Sequence, residues 1–184
     1  SGQLRPARMG RDGTAWASSL LRGDRIAWLT STPRDALPQG IAHALHALER
    51  LRDCLRKEAP WLNLGTRVSV QLACYPGNGE GYVRHMDTFE TGKTTGNAGV
   101  SPSPSKPIRK ITALYYLNPD WTEDHGGKLR AYYHSASTTQ NSALSCKVNE
   151  LHWDIAPVLD RLVLFRSDVV PHEVLPSKTT RYAL

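Results

Sequence analysis

Cysteine is scarce in this chain, which has three, Cys54, Cys74 and Cys146, among 184 residues. An odd number of widely spaced cysteines argues against a disulfide framework and favours a reducing compartment. Long hydrophobic runs are also lacking, and none approaches the roughly 20 residues that cross a bilayer. We therefore expect no membrane span. Because no signal peptide is evident either, we expect the protein in the cytoplasm or the nucleus.

Acidic side chains are outnumbered, with 17 Asp and Glu against 23 Lys and Arg, and the net charge is +6. This charge permits an acidic partner. However, the basic residues are scattered and carry no aromatic stacking pattern, so nucleic-acid binding is not expected. The length of 184 residues suits one domain with a sizeable core. We expect a single domain over residues 1–184 that acts as a monomer.

The hydrophobic pattern predicts one helix followed by many strands. From Gln39 to Lys57 apolar residues recur at three- and four-residue steps, which indicates an amphipathic helix closed by Pro60. A short strand is predicted at 24–29. Strand-like runs then follow at 67–75, 111–117, 127–133, 148–155, 161–166, 172–175 and 180–184. Many short strands in series are typical of an antiparallel barrel or sandwich, with the helix supporting it from outside.

Three segments lack such a pattern. Residues 1–20 are polar and mixed, and are predicted to form an extended arm. Residues 91–107 and 134–147 are rich in small and polar residues, which cannot bury a core, and are predicted to be flexible insertions. Two interpretations of the 91–107 segment stay open. It is either a lid over a functional site or an insertion without such a role.

Four residues carry the most specific chemistry: His85, Asp87, His172 and Arg181. Two histidines and a carboxylate are the ligand set of non-haem iron(II) sites that leave positions open for co-substrate and dioxygen. Residues i and i+2 of a strand share a face, so His85 and Asp87 are predicted to point together into a barrel, where a later strand brings His172. Arg181 suits the far carboxylate of a dicarboxylic co-substrate. The pattern predicts an iron- and 2-oxoglutarate-dependent oxygenase, although the same spacing also arises by chance.

A longer run narrows this prediction. Residues 73–87, Ala-Cys-Tyr-Pro-Gly-Asn-Gly-Glu-Gly-Tyr-Val-Arg-His-Met-Asp, closely resemble the metal-binding strand of the cytoplasmic prolyl 4-hydroxylases. That family includes the oxygen-sensing hydroxylases of hypoxia-inducible factor. Further matching segments stand in the right order at 22–28, 114–121, 126–130, 171–174 and 180–183.

The resemblance implies a double-stranded β-helix (jelly-roll) core with a supporting N-terminal helix. It also implies that His85, Asp87 and His172 bind iron(II). Arg181 and the Tyr116 hydroxyl would hold 2-oxoglutarate. The implied reaction hydroxylates a peptidyl proline at its γ-carbon, consumes 2-oxoglutarate and dioxygen, and uses ascorbate as reductant.

The resemblance also suggests residues around the co-substrate and the substrate. Tyr75 would lie beside 2-oxoglutarate, Tyr82 and Arg109 match positions that line the substrate-proline entrance, and Trp28 lies in a similar segment. Simple alternatives stay open at several of these positions. Packing alone would account for Tyr82 or Tyr116, and a solvated surface charge would account for Arg109.

The chain departs from the animal oxygen sensors in its insertions, which are of a kind typical of protist proteins. Among the family's substrates, the adaptor subunit of the SCF ubiquitin ligase (the S-phase kinase-associated protein) fits a protist enzyme best, and it is the leading substrate hypothesis. Degradation motifs like those of hypoxia-inducible factor come second, and a translation elongation factor third. Two other functions stay open: an inactive jelly-roll module that binds proline-containing peptides, and hydroxylation of free amino acids or of lysine.

Overall fold

The computed structural model describes residues 4–7, 21–30, 32–88, 109–134 and 150–184. The predicted insertion at 91–107 lies outside the described residues, and so does most of the arm at 1–20. Of the segment 134–147, only His134 is described.

The described elements are mostly strands. In chain order they are β1 (Arg5–Pro6), β2 (Arg25–Trp28), α1 (Gln39–Glu58), β3 (Gln71–Tyr75), β4 (Tyr82–His85), β5 (Ile111–Tyr115), β6 (Leu129–His134), β7 (Glu150–Ile155), β8 (Leu162–Arg166), β9 (His172–Val174) and β10 (Arg181–Ala183). Short 3-10 turns occur at Arg34–Ala36, Pro60–Leu62 and Glu123–His125. No helix in the described part of the chain combines the length and the apolar character that crossing a membrane requires.

The strands pair antiparallel throughout. One sheet has the order β1-β2-β3-β10, a second has the order β4-β9-β6-β7, and β5 pairs with β8. A bridge between Tyr116 and Ala183 joins the β5-β8 pair to β10, so the described strands form one larger and one smaller sheet. This alternation of strands between two antiparallel sheets is the jelly-roll arrangement, and it confirms the predicted fold class.

Helix α1 packs on the outside of the larger sheet. Leu45 is its one buried residue and forms a core cluster with Leu29 and Leu184. The helix ends at Glu58, Ala59 caps it, and Pro60 follows, where a helical N–H would be missing. Because the helix covers the outer face of this sheet, the inner face is left for other side chains.

Several element bounds differ from the prediction. The hydrophobic pattern does not predict β4, since its pairing with β9 shifts register between Tyr82 and His85, and such a bulge disrupts simple alternation. Strand β6 begins at Leu129 rather than 127, after Gly126 and Gly127 with positive φ. It extends through His134, so the predicted insertion at 134–147 begins at least one residue too early.

Candidate metal centre

Three predicted ligands meet at the smaller sheet. One ligand atom each of His85, Asp87 and His172 lies within 4.8 Å of the other two. His85 is the last residue of β4, and His172, the first of β9, stands directly opposite it. Each histidine Nε2 lies 3.8 Å from an Asp87 carboxylate oxygen. This is the donor set of a 2-His-1-carboxylate iron(II) site.

The prediction that His85 and Asp87 share one strand face is wrong in one respect. Strand β4 ends at His85, and Asp87 lies in a bend beyond it. Its carboxylate reaches the histidines because the chain turns there, while the backbone N–H of Thr88 donates to the carbonyl of Ser167 at 3.2 Å. The turn, rather than strand alternation, therefore brings Asp87 to the cluster.

Both histidines are oriented through their second ring nitrogen. Nδ1 of His85 lies 2.8 Å from the Val83 carbonyl oxygen, and Nδ1 of His172 lies 3.1 Å from that of Val170. A carbonyl only accepts, so each Nδ1 carries the proton and each Nε2 presents a lone pair. Burial, with a contribution from the neighbouring His172, lowers the pKa of His85 to about 4. The imidazole of His85 is therefore neutral at physiological pH, as metal binding requires.

The Asp87 carboxylate is held by a short chain of buried hydroxyls. Thr112 Oγ1 donates to Asp87 Oδ2 at 2.5 Å, and Ser167 Oγ lies 2.8 Å from the Thr112 hydroxyl. Thr112 is 8% exposed and Ser167 is fully buried. Arg109 also reaches this carboxylate, with its NH1 group 3.1 Å from Oδ1. These contacts orient a candidate ligand before any metal binds.

Replacing Thr112 by valine, which keeps the shape and removes the hydroxyl, is expected to weaken iron(II) binding about tenfold or more, as outer-shell partners typically do. Metal titration of the purified protein measures this. Thr66→Val, at an exposed position, is the matched control and is expected to bind iron like the wild type. Equal iron affinity in the Thr112 variant would contradict an orienting role for the hydroxyl.

Aromatic rings pack against both histidines. Tyr82 stacks on His85, with ring centroids 3.6 Å apart and planes 19° from parallel, and Phe165 lies 4.7 Å from His172. The guanidinium of Arg22 lies over the Tyr82 ring, 4.7 Å from its centroid. Arg22 is in turn paired in bidentate fashion with the buried Asp24, at 2.7 and 3.0 Å. Tyr82 thus supports a ligand ring directly.

A second cluster, the arginine pocket, surrounds Arg181 at the start of β10. Arg181 is 3% exposed and lies between two buried tyrosine rings, 5.1 Å from that of Tyr75 and 5.0 Å from that of Tyr116. Its Nε donates to the Gly127 carbonyl at 2.8 Å. Gly127 has φ +71°, and a Cβ there would lie 2.9 Å from the Arg181 side chain. Only glycine therefore permits this close approach.

The described part of the chain supplies no acidic side chain to the arginine pocket. Among the described residues, no carboxylate forms an ion pair with Arg181. The Tyr116 hydroxyl is buried and has no hydrogen-bond partner among the residues that the structure describes. Burial raises the pKa of this hydroxyl. A buried cation and a buried donor without acceptors both gain from a bound carboxylate.

The two remaining predicted substrate-binding residues, Arg109 and Trp28, are both partly exposed. Arg109 contacts the cluster through Asp87, and its side chain is 44% exposed. Trp28 lies in β2 opposite Gln71 and is 52% exposed. Their roles in substrate binding stay predictions.

Thr112, Ser167, Phe165 and the Arg22–Asp24 pair have no role in the sequence-based predictions. One signal was available, since Thr112 and Tyr116 are four residues apart on one strand and its continuation, and therefore share a face. The others come from segments far apart along the chain, and no local pattern links them to the histidines.

The sequence and the fold match known proteins. A family model, the 2OG-Fe(II) oxygenase superfamily, matches residues 70–184. The human protein named Prolyl hydroxylase EGLN3 is 32% identical over 186 residues, which cover 100% of this chain and 65% of that protein. The chain thus spans less than two thirds of the length of such curated relatives, and 33% of the human Egl nine homolog 1.

Two solved structures are similar. A prolyl-4-hydroxylase from Pseudomonas putida superposes with a TM-score of 0.66 at 27% identity, covering 98% of this chain and 73% of that one. A prolyl hydroxylase from Trichoplax adhaerens, solved in complex with a peptide fragment of the hypoxia inducible factor oxygen degradation domain, gives 0.60 at 30% identity, covering 98% and 67%.

Proposed function

The chain belongs to the 2OG-Fe(II) oxygenase superfamily, and from this premise we propose that it is a prolyl 4-hydroxylase acting on proline residues of an intracellular protein. The observation that carries the proposal is that the chain has both a metal-binding cluster and a buried pocket for a carboxylate. A His-Asp-His cluster suits iron(II). A buried Arg181 beside the Tyr116 hydroxyl, which has no hydrogen-bond partner among the described residues, suits a carboxylate. Curated and structural relatives named as prolyl hydroxylases support the choice of reaction.

His85, Asp87 and His172 would hold the iron. Their donor set matches iron(II), and the lone pairs are already directed inward by the carbonyls of Val83 and Val170. When bound, iron(II) supplies the activation of dioxygen that couples decarboxylation of 2-oxoglutarate to hydroxylation of the substrate. What the protein contributes is ligand orientation, one carboxylate charge and positions left free for co-substrates.

Arg181 and Tyr116 would anchor the far carboxylate of 2-oxoglutarate. Arginine provides a planar fork that matches a carboxylate, and its Nε is already fixed by Gly127. The Tyr116 hydroxyl would donate a hydrogen bond to the same carboxylate. Tyr75, 3% exposed and against the Arg181 guanidinium, would close the wall beside the co-substrate and exclude water.

The substrate proline would approach past Tyr82 and Arg109. Tyr82 is held in place by Arg22 and His85, so its ring offers a fixed apolar wall at the metal centre. Arg109 forms an ion pair with the Asp87 carboxylate and is partly exposed, so it would meet a polar part of the substrate. Trp28 is a further candidate, on an exposed part of β2.

The protein substrate is a hypothesis from the sequence and from the relatives. The adaptor subunit of the SCF ubiquitin ligase is the leading one. A degradation motif of the hypoxia-inducible-factor type gains support from the Trichoplax complex, whose hydroxylase binds such a peptide. Either would link the reaction to oxygen sensing. Ascorbate as reductant, a monomeric state and a cytoplasmic location complete the proposal.

The experiment is a hydroxylation assay. The protein is supplied with iron(II), ascorbate, 2-oxoglutarate and air, and with the adaptor, a hypoxia-inducible-factor peptide or an elongation factor in turn. Mass spectrometry is expected to find one added oxygen atom on a proline of one of them, together with succinate. If the iron-loaded protein binds a proline peptide but never consumes 2-oxoglutarate, the proposed enzyme activity is refuted and the alternative of a peptide-binding module is supported. Hydroxylated lysine or free amino acid would overturn only the choice of substrate.

A further inference from the structure

The metal ligands belong to a row of residues that crosses the smaller sheet. His85 stands opposite His172, His172 stands opposite Ala131 on β6, and Ala131 stands opposite Trp153 on β7. Residues directly opposite each other in an antiparallel ladder place their side chains on the same face. Trp153 therefore stands on the face that carries the iron ligands, at the far edge of the sheet.

A tyrosine and a leucine extend this row. Tyr133 lies two residues beyond Ala131 and so shares its face. Its ring centroid lies 4.6 Å from that of Trp153, which confirms this. Leu151 stands opposite Tyr133. We call Tyr133, Leu151 and Trp153 the edge patch.

The edge patch is apolar and open. Trp153 is 62% exposed and Leu151 is 40% exposed, whereas Ala131, between the patch and His172, is buried. Charged residues of the same two strands alternate onto the opposite face, where Arg130 forms a bidentate pair with Asp154 at 2.7 and 2.8 Å. Contiguous exposed apolar patches mark interaction sites, and this one lies on the sheet face that carries His85 and His172.

We propose that the edge patch binds the polypeptide substrate beside its target proline, with Trp153 as the main determinant of specificity. The inference rests on the proposed function and adds the sequence preference of the substrate. The patch lies on the same sheet face as His172, one strand beyond the buried Ala131, and carries no charge, so the occupant is an apolar side chain of the substrate. Aromatic rings favour such contacts because they bury a large area at a small cost in side-chain entropy.

The sheet geometry locates that side chain in the substrate. Trp153 is two strands away from His172, and neighbouring strands lie about 4.8 Å apart, so their backbones are roughly 10 Å apart. An extended peptide advances about 3.3 Å per residue. With the target proline at the metal centre, the edge patch therefore meets a residue about three positions away from it.

The test uses Trp153→Ala and the control Trp61→Ala. Trp61 is 78% exposed and lies in the turn Pro60–Leu62, outside both sheets, so its removal matches the chemical change. Both variants and the wild type are assayed with the proline peptide that the wild type hydroxylates. Versions of that peptide carry leucine or alanine three residues before or after the target proline.

We expect Trp153→Ala to raise KM for the leucine peptide by about tenfold to a hundredfold, the loss expected from uncovering one large apolar contact. KM for 2-oxoglutarate and the unfolding temperature stay at wild-type values, and Trp153→Phe restores most of the affinity. The preference for leucine over alanine, at one of the two positions, disappears in Trp153→Ala and persists in Trp61→Ala.

Two results would overturn the inference while the proposed function stands. The first is an unchanged peptide KM in Trp153→Ala. The second is a raised KM accompanied by a lowered unfolding temperature and a raised KM for 2-oxoglutarate, which would show that Trp153 packs against the chain itself. Failure of the wild type to hydroxylate any peptide would instead refute the proposed function, and the inference with it. The wild-type assay therefore separates the two failures.

Discussion

Replacing His172 by alanine is expected to abolish 2-oxoglutarate turnover, down to the level of a metal-free control. The residue would supply one of three ligand atoms and is 4% exposed, so water cannot readily take its place in the same geometry. Outer-shell partners of a metal are typically worth 10- to 100-fold in affinity, and losing a ligand itself is expected to exceed about a hundredfold. Iron content after dialysis and succinate release measure the two effects.

The control is His43→Ala, an exposed histidine on α1 outside the metal centre. It is expected to bind iron and turn over like the wild type. Circular dichroism separates loss of the site from loss of the fold, because the change of His172 to alanine also removes buried packing against Phe165. His172→Gln keeps more of that volume and is expected to be equally inactive. Full turnover in a folded His172→Gln protein would refute the assignment of His172 as an iron ligand.

Replacing Arg181 by lysine is expected to raise KM for 2-oxoglutarate by about ten- to a hundredfold. A hydrogen bond to a charged group contributes roughly 1.5–3 kcal/mol, and lysine keeps the charge but loses the planar fork. It also loses the Nε donor that reaches Gly127. Tyr116→Phe removes one neutral donor and is expected to raise the same KM by a smaller factor, about tenfold. Initial rates of succinate formation at varied 2-oxoglutarate measure both.

Arg130→Lys is the matched control for this change. Arg130 pairs with Asp154 on the far face of the smaller sheet, and its side chain is partly exposed, so KM is expected to stay at the wild-type value. Ligands of different length provide a second comparison. A monocarboxylic 2-oxoacid lacks the distal carboxylate, so Arg181→Lys is expected to affect its weak binding little. Equal KM values for 2-oxoglutarate in the variant and the wild type would exclude Arg181 as its anchor.

Local patterns in the sequence predicted an antiparallel barrel or sandwich with one helix, and the resemblance to the prolyl 4-hydroxylases narrowed this prediction to a jelly roll. The three- and four-residue spacing over Gln39 to Lys57 corresponds to α1, which extends one residue further, to Glu58. Alternating runs correspond to β3, β5, β8 and β10 within a few residues of their bounds. Strand β4 was not predicted, because its bulge removes the alternation on which such a prediction depends.

The candidate site was partly predictable for a different reason. Histidine, aspartate and arginine side chains carry specific chemistry, so their types and their order along the chain indicate iron and a dicarboxylate, and the resemblance of residues 73–87 to the prolyl 4-hydroxylases makes that prediction specific. Their roles beyond this geometry stay predictions until the variants above are assayed. Thr112 and Ser167 carry only hydroxyls, which occur everywhere in a chain, so nothing in the sequence distinguishes these two.

By itself, the sequence determined which atoms are available: two imidazoles, a carboxylate, a guanidinium and the tyrosines around them. It also determined the helix and most of the strands, although not β4, since side-chain periodicity is a local property. Only the tertiary structure decided that Thr112 orients Asp87, that Arg181 is buried without an anionic partner among the described residues, and that Trp153 stands in the row of the metal ligands. These are contacts between segments tens of residues apart, and strand register across a sheet, rather than spacing along the chain, brings them together.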